Sequence, residues 1–327
     1  MQSNKRLLLS VFLILVALNV KSQDVMMQPP GNYGLTSVLD GAPPAPGVYL
    51  MEYLSYYSGI LQNKDGNAVA PNMNDDIKIS SALLLNQLVW ITDTDLFGGK
   101  LLFDALVPVV LLDSKDPYDL VGKSGLGDIT LGVGVQWFNK KLFGKPYFHR
   151  LEFDVLLPTG SFDLNEGTTP VNAGAKFLTF QPYYAQTLML TKDFSVSLRH
   201  HLSFNGKFKE VPGVDFKAGT FYHVNYAFEH IIGEKRFKPG VSGETRFAIQ
   251  GYYGGQFNED TMNGVDMVNS RERVFAIGPD IHIITKKGLA LEFKVAFETE
   301  AVNRPKGVRS TFRLVKYFAP KQKKSPK

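Results

Sequence analysis

The sequence predicts an all-β fold: an antiparallel transmembrane β-barrel of about twelve strands, with long external loops and short periplasmic turns. Three observations predict it. Apolar and polar residues alternate with period two over long runs. The connections between those runs alternate long and short. The longest apolar run, Leu7 to Leu18 with Ser10 inside it, is too short to cross a bilayer as a helix.

Asp128 to Trp137 shows the alternation best. Ile129, Leu131, Val133, Val135 and Trp137 share one face, and Asp128, Thr130, Gly132, Gly134 and Gln136 share the other. Residues 194–205 and 289–298 repeat the pattern, and in 147–157 the second face carries Arg150, Glu152 and Asp154. Strands are expected at roughly 47–62, 76–92, 99–113, 125–138, 146–158, 176–190, 193–205, 216–231, 236–254, 271–285, 288–301 and 307–318. These exceed the five or six residues usual in soluble sheets and suit tilted membrane-crossing strands. The long, polar connections are 63–75, 114–124, 159–175, 206–215 and 255–270. The short ones are 93–98, 139–145, 191–192, 232–235 and 286–287. Outer-membrane barrels sort their connections this way. The 302–306 connection departs from the rule, being short on the external side.

Composition removes several alternatives. With 44% hydrophobic and 20% charged residues the chain is neither disordered nor a bundle of membrane helices. There is no Cys, which excludes disulfides, thiolate nucleophiles, zinc–thiolate sites and lipid anchoring through an N-terminal Cys. The formal charge is +5, but it belongs to the ends. Without the three basic residues of 1–22 and the four Lys of 321–327, 29 basic residues face 31 acidic ones. A nucleic-acid partner is therefore not expected.

Residues 1–22 read as a signal peptide, with Lys5 and Arg6 before the apolar run and cleavage before Gln23; a short anchor helix is the other reading. Residues 23–46 are rich in Pro and Gly, carry no strand pattern, and are either a tether or a plug that enters the lumen. The barrel is expected over 47–318 and a basic tail over 319–327.

A twelve-strand closed sheet is too wide for one layer of apolar side chains to fill. The apolar face should therefore meet lipid and the charged face the lumen. The candidate lumen-lining residues are Arg150, Glu152, Asp154, Arg199, His201, Glu244, Arg246, Glu292, Lys294 and Arg313, with Glu298 on the same face. Their mixed signs allow pairing, which lowers the cost of burial. They serve either packing of the wall or passage of a solute. Trp90, Trp137, Tyr147, Phe143 and Phe97 fall near the short-turn end, as an interfacial aromatic belt or as scattered core aromatics. His200 and Tyr184 sit on the lipid face without an evident reason. Pro108, Pro182 and Pro279 interrupt strands, each implying a local bulge or a side opening.

No GxSxG, HExxH, GxGxxG or P-loop motif is present, and no catalytic, cofactor or metal residues are assigned. Ser203 beside His201 is a weak hydrolase signal.

At Gly125-Leu-Gly-Asp128, Leu157-Pro-Thr-Gly160 and Asn172 through Thr187 (NAGAKFLTFQPYYAQT) the chain resembles the meta-pathway of phenol degradation family of transporter-like barrels. The resemblance covers most of 45–318. It implies an outer-membrane barrel, loosely similar to hydrophobic-compound channels of the long-chain fatty-acid transporter type. One departure is visible: nine residues follow Phe318, where many such barrels end on an aromatic residue. The function expected is passive uptake of small hydrophobic or aromatic solutes in the outer membrane, with lipid as surroundings. An outer-membrane lipid hydrolase and a structural or binding barrel are the alternatives.

Overall fold

The structure, a computed structural model, describes residues 33–35, 38–69, 76–115, 120–164, 171–233, 243–285 and 289–320. The expected signal peptide and the Lys-rich residues 321–327 lie outside them. Among the described residues there is no helix, and twelve long strands make up the body. They are β1 (Gly47–Leu61), β2 (Lys78–Leu96), β3 (Gly99–Lys115), β4 (Thr130–Leu142), β5 (Lys145–Leu156) and β6 (Thr179–Met189). The second half follows as β7 (Phe194–Asn205), β8 (Phe221–Ile231), β9 (Glu244–Gln256), β10 (Arg273–Ile284), β11 (Leu289–Val302) and β12 (Pro305–Phe318).

Each strand pairs antiparallel with its sequence neighbours, and β1 pairs with β12 from Val48↔Phe318 to Leu61↔Pro305. That last ladder closes the sheet and leaves no edge. Polarity is inverted relative to a soluble protein. Outward Leu54 is 59% exposed, while inward Glu152 is 0% exposed. A water-soluble barrel would not tolerate so much outward Leu and Phe, whereas a lipid-facing wall requires it.

Strand starts shift where local chemistry overrides periodicity. The run expected at 125–138 becomes a strand only from Thr130. The β3–β4 ladder stops at Leu106↔Thr130 and resumes at Val109↔Leu126, with the Gly127 N–H donating to the Pro108 carbonyl at 2.9 Å. Pro108 has no N–H, so the wall bulges there. Pro182 and Pro279 also sit where a ladder skips residues, between β6 and β7 and between β10 and β11. At the last of these, Gln250 reaches across from β9 and donates to the Val295 carbonyl at 3.0 Å.

The run expected at 216–231 begins at Phe221. Phe216–Lys217 pair instead with Thr261–Met262, which pair in turn with Val265–Asp266, in a small external sheet. This sheet covers a second apolar core of Phe177, Phe208, Phe216 and Ala218. The connections after β7 and after β9 are thus built structures rather than simple polar loops. At the other end, two hairpins turn on Phe97-Gly98 and Phe143-Gly144. Both residues of each pair have φ between 49° and 74°, the two-residue turn that matches strand twist.

Candidate functional site

Alternation aims one face of every strand into the barrel, and on that face the sequence places charge. Three ionic groups result. On β5, Arg150 Nε lies 3.5 Å from Glu152, whose carboxylate accepts from the Tyr183 hydroxyl of β6. On β8 and β9, Arg246 pairs with Glu244 and approaches Glu229 at 3.5 Å, while Ser195 and Ser197 donate to Glu229 at 2.9 and 2.5 Å. On β11 and β12, Glu292 holds Arg313 and stands 3.4 Å from Lys294. Glu298 forms a further clasp, accepting from Tyr57 at 2.7 Å, Tyr252 at 2.8 Å and the Gly307 N–H at 2.8 Å. Each of these charges is buried and either ion-paired or hydrogen-bonded, the condition under which a buried ion is tolerated.

All ten candidate residues are buried. Asp154 faces Asp104 and Glu152 across Gly132, in a carboxylate cluster that the Gln87 amide approaches at 2.7 Å through Asp104. His201 stacks on His223, ring centroids 4.2 Å apart and planes 8° from parallel. Ser203 and His201 share a face, but both bond to Gln181, through its nitrogen at 2.7 Å and its oxygen at 3.1 Å. They form no nucleophile–base pair with each other.

The described part of the N-terminal segment runs through this lumen. Tyr33 lies near the external end, tilted against Tyr252 and beneath the Arg304 guanidinium, which also donates to its hydroxyl at 3.0 Å. The Gly34 N–H donates to Asn225 at 2.8 Å, and the Leu35 carbonyl accepts from Lys294 at 3.0 Å. The Leu39 N–H donates to Glu229 at 2.9 Å. Asp40 Oδ2 is 3.0 Å from Arg199 Nε, and Oδ1 is 3.9 Å from Arg150. Both guanidiniums lie over the Tyr183 ring, at 4.6 and 5.4 Å. The Gly41 N–H then donates to Thr187, and its carbonyl accepts from Gln136. A side chain at Gly41 would meet the β6 backbone at 2.6 Å, so only glycine lets the two chains come this close. The Tyr317 hydroxyl donates to the Pro46 carbonyl, delivering the chain to β1.

Two cavities flank the segment. One of about 330 Å³ lies toward the external end, between Tyr33, Leu35, Pro108, Asp128 and His201. The other, about 450 Å³, lies toward the short-turn end beneath Val38, Asp40 and Pro44. Among the described residues none lines both.

Sequence periodicity missed several of these groups. Asp104, Tyr183 and Glu229 fall on the inner faces of their runs and were legible by the same rule as their neighbours. Tyr33 and Asp40 had no such signal, because the segment has no period.

Two further constellations explain other sequence features. The three family-like motifs meet at one carboxylate. Asp128 accepts from the Gly160 N–H and the Ala175 N–H, both at 2.8 Å. Burial raises the Asp128 pKa, while those amides and the one of Thr159 oppose the rise. On the outer wall, His200 and Tyr184 belong to a bonded strip. Tyr147 and Tyr184 share a hydrogen bond at 2.7 Å, Tyr147 donates to Gln186 at 2.7 Å, and His200 meets Tyr222 at 2.8 Å. Their polar atoms satisfy one another, which makes them admissible against lipid. His149, stacked on Trp137 at 4.6 Å, continues the strip toward the short turns. There the Trp137 indole donates to the Phe97 carbonyl at 2.9 Å.

The fold is similar to that of the COG4313 outer membrane channel from Pseudomonas putida F1. The TM-score is 0.70 at 16% identity, over 89% of this chain and 100% of that one. The transport unit of the autotransporter AIDA-I from Escherichia coli gives a TM-score of 0.46 at 13% identity, over 84% and 90% of the two chains. The TodX monoaromatic hydrocarbon channel gives 0.41 at 10% identity, over 86% and 93%. No curated protein matches the chain. The family described as "Putative MetA-pathway of phenol degradation" matches residues 61–314, well over half of the sequence, and the chain belongs to that family.

Proposed function

We propose that the protein is an outer-membrane channel for passive uptake of small hydrophobic or aromatic compounds, with its N-terminal segment acting as a plug. The observation that carries this reading is the pair of cavities, one toward each end of the barrel, parted by a segment held mainly through side chains. A purely structural barrel has no use for a lumen that is hollow on both sides of such a segment. The family's association with phenol degradation supports an aromatic solute. The fold shared with an outer-membrane channel supports a route across the wall. Arg150, Arg199, Arg246 and Arg313 then line the route, and the Asp40–Arg199 contact fastens the plug.

The test is uptake across the outer membrane of intact cells. Cells producing the protein should accumulate a labelled neutral aromatic such as toluene faster than cells producing an unrelated closed barrel. Equal rates contradict the proposal.

A further inference from the structure

The larger cavity has two unlike walls. On one side β1, β2 and β12 present Tyr49, Met51, Val89, Ile91, Val315 and Tyr317, most of one apolar cluster. In a twelve-strand barrel closed in sequence order, β7 lies opposite β1. On that side β5, β7, β9 and the turn before β7 present Arg150, Arg199, Arg246 and Lys192. Arg313 adds a fifth cation from β12. Among the described residues two carboxylates, Asp40 and Glu244, reach the same surface. The other compensating acids, Glu152, Glu229 and Glu292, stand behind their arginines and do not line the cavity.

A guanidinium carries five N–H donors in a rigid fork, and one carboxylate engages at most two of them. Arg313 meets Glu292 through Nε, so donors remain for a second acceptor. An apolar slot facing such donors matches a molecule with a flat or short apolar body and one anionic end. The volume, about 450 Å³, is within the range of small-molecule sites. A purely apolar solute would make no use of the spare guanidinium donors, and an inorganic anion would leave the apolar wall wet.

Resting on the channel reading above, we infer that this cavity is a binding site for small hydrophobic monocarboxylates, aromatic acids above all. The carboxylate meets the guanidiniums that line the cavity, Arg313 among them, and the ring lies against Tyr49, Ile91 and Tyr317. The site makes the channel prefer acids over neutral compounds of the same shape.

The experiment is a calorimetric titration of the purified, folded protein in detergent with benzoate and with benzyl alcohol, near-isosteres that differ in charge. Benzoate should bind about tenfold more tightly, as a charge-assisted hydrogen bond implies. The preference should shrink in high salt. Arg313→Gln should reduce it several-fold. Lys192→Gln, a turn variant that does not disturb a buried pair, should reduce it about twofold if Arg313→Gln does not fold. Equal affinity, tighter binding of benzyl alcohol, or no binding of either compound overturns the inference. Toluene uptake by cells does not depend on a carboxylate, so it tests the channel reading separately.

Discussion

Asp40 Oδ2 lies 3.0 Å from Arg199 Nε, joining a residue of the unpatterned N-terminal segment to the middle of β7. Both side chains are almost wholly buried, at 2% and 3% exposure. Removing one partner from such a pair typically costs about 3–5 kcal/mol, because the other charge stays buried without it. Here the second guanidinium, Arg150, shares the same carboxylate, so Asp40 answers for two cations. Asp40→Ala should therefore loosen the segment without opening the barrel. The measurement is single-channel current in planar bilayers, where this variant should show more frequent or larger openings than the parent. Identical traces would mean the contact does not hold the segment.

Asp128, just before β4, holds both ends of the single connection between β5 and β6 through two backbone amides. Bonds to an ionised group contribute roughly 1.5–3 kcal/mol each. Asp128→Ala should make the external connections around 157–175 sensitive to added protease on intact cells. The barrel itself should keep its heat-modifiable migration on gels. Unchanged loop resistance would show that the knot is not held by this carboxylate.

The period-two pattern made the barrel legible because water and lipid impose opposite demands on the two faces of each strand. Glu152 and Phe153 are neighbours in sequence, yet one is buried and the other 43% exposed. Pattern reading failed where the deciding contacts are non-local. Nothing in 125–129 announces that Pro108 breaks the facing ladder. Nothing in Phe216–Lys217 announces that this pair leaves the barrel for Thr261–Met262. For the same reason nothing in 23–46 announces the partners of Asp40. Asp40 finds its partners 159 and 110 residues away, in β7 and β5.

Asp260, in the connection between β9 and β10, gives a pH dependence with a definite sign. Burial pushes its pKa up to about 6, against the pull of bonds from the Gly219 N–H and Gln256. A carboxyl raised in the folded state binds more protons folded than unfolded, so the loop loses stability as pH rises from about 4 to 6. Neighbouring Glu259 works the other way. Burial raises it, but bonds from Ser270 and Arg271 outweigh that and leave it lowered, so its effect falls below the ordinary carboxylate range. Hydrogen-exchange protection of 256–270 should thus be higher at pH 5 than at pH 7, and Asp260→Asn should flatten the difference. Higher protection at pH 7 would reverse the assignment.

The orientation of the barrel can be read with thiol chemistry, because the chain has no Cys. Val268 and Phe143 are both well exposed, at 81% and 88%, at opposite ends of the barrel. A membrane-impermeant maleimide should label Val268→Cys on intact cells and leave Phe143→Cys untouched until the outer membrane is permeabilised. The reverse pattern would turn the barrel over.

The central claim is that the N-terminal segment obstructs a through-going lumen. The most direct measurement is the unitary conductance of a variant lacking residues 33–40, checked for folding by heat-modifiability and compared with the full chain under the same salt and voltage. Joining the cavities of about 330 and 450 Å³ into one water-filled path should raise conductance several-fold. A correctly folded deletion variant with the conductance of the parent would contradict the account.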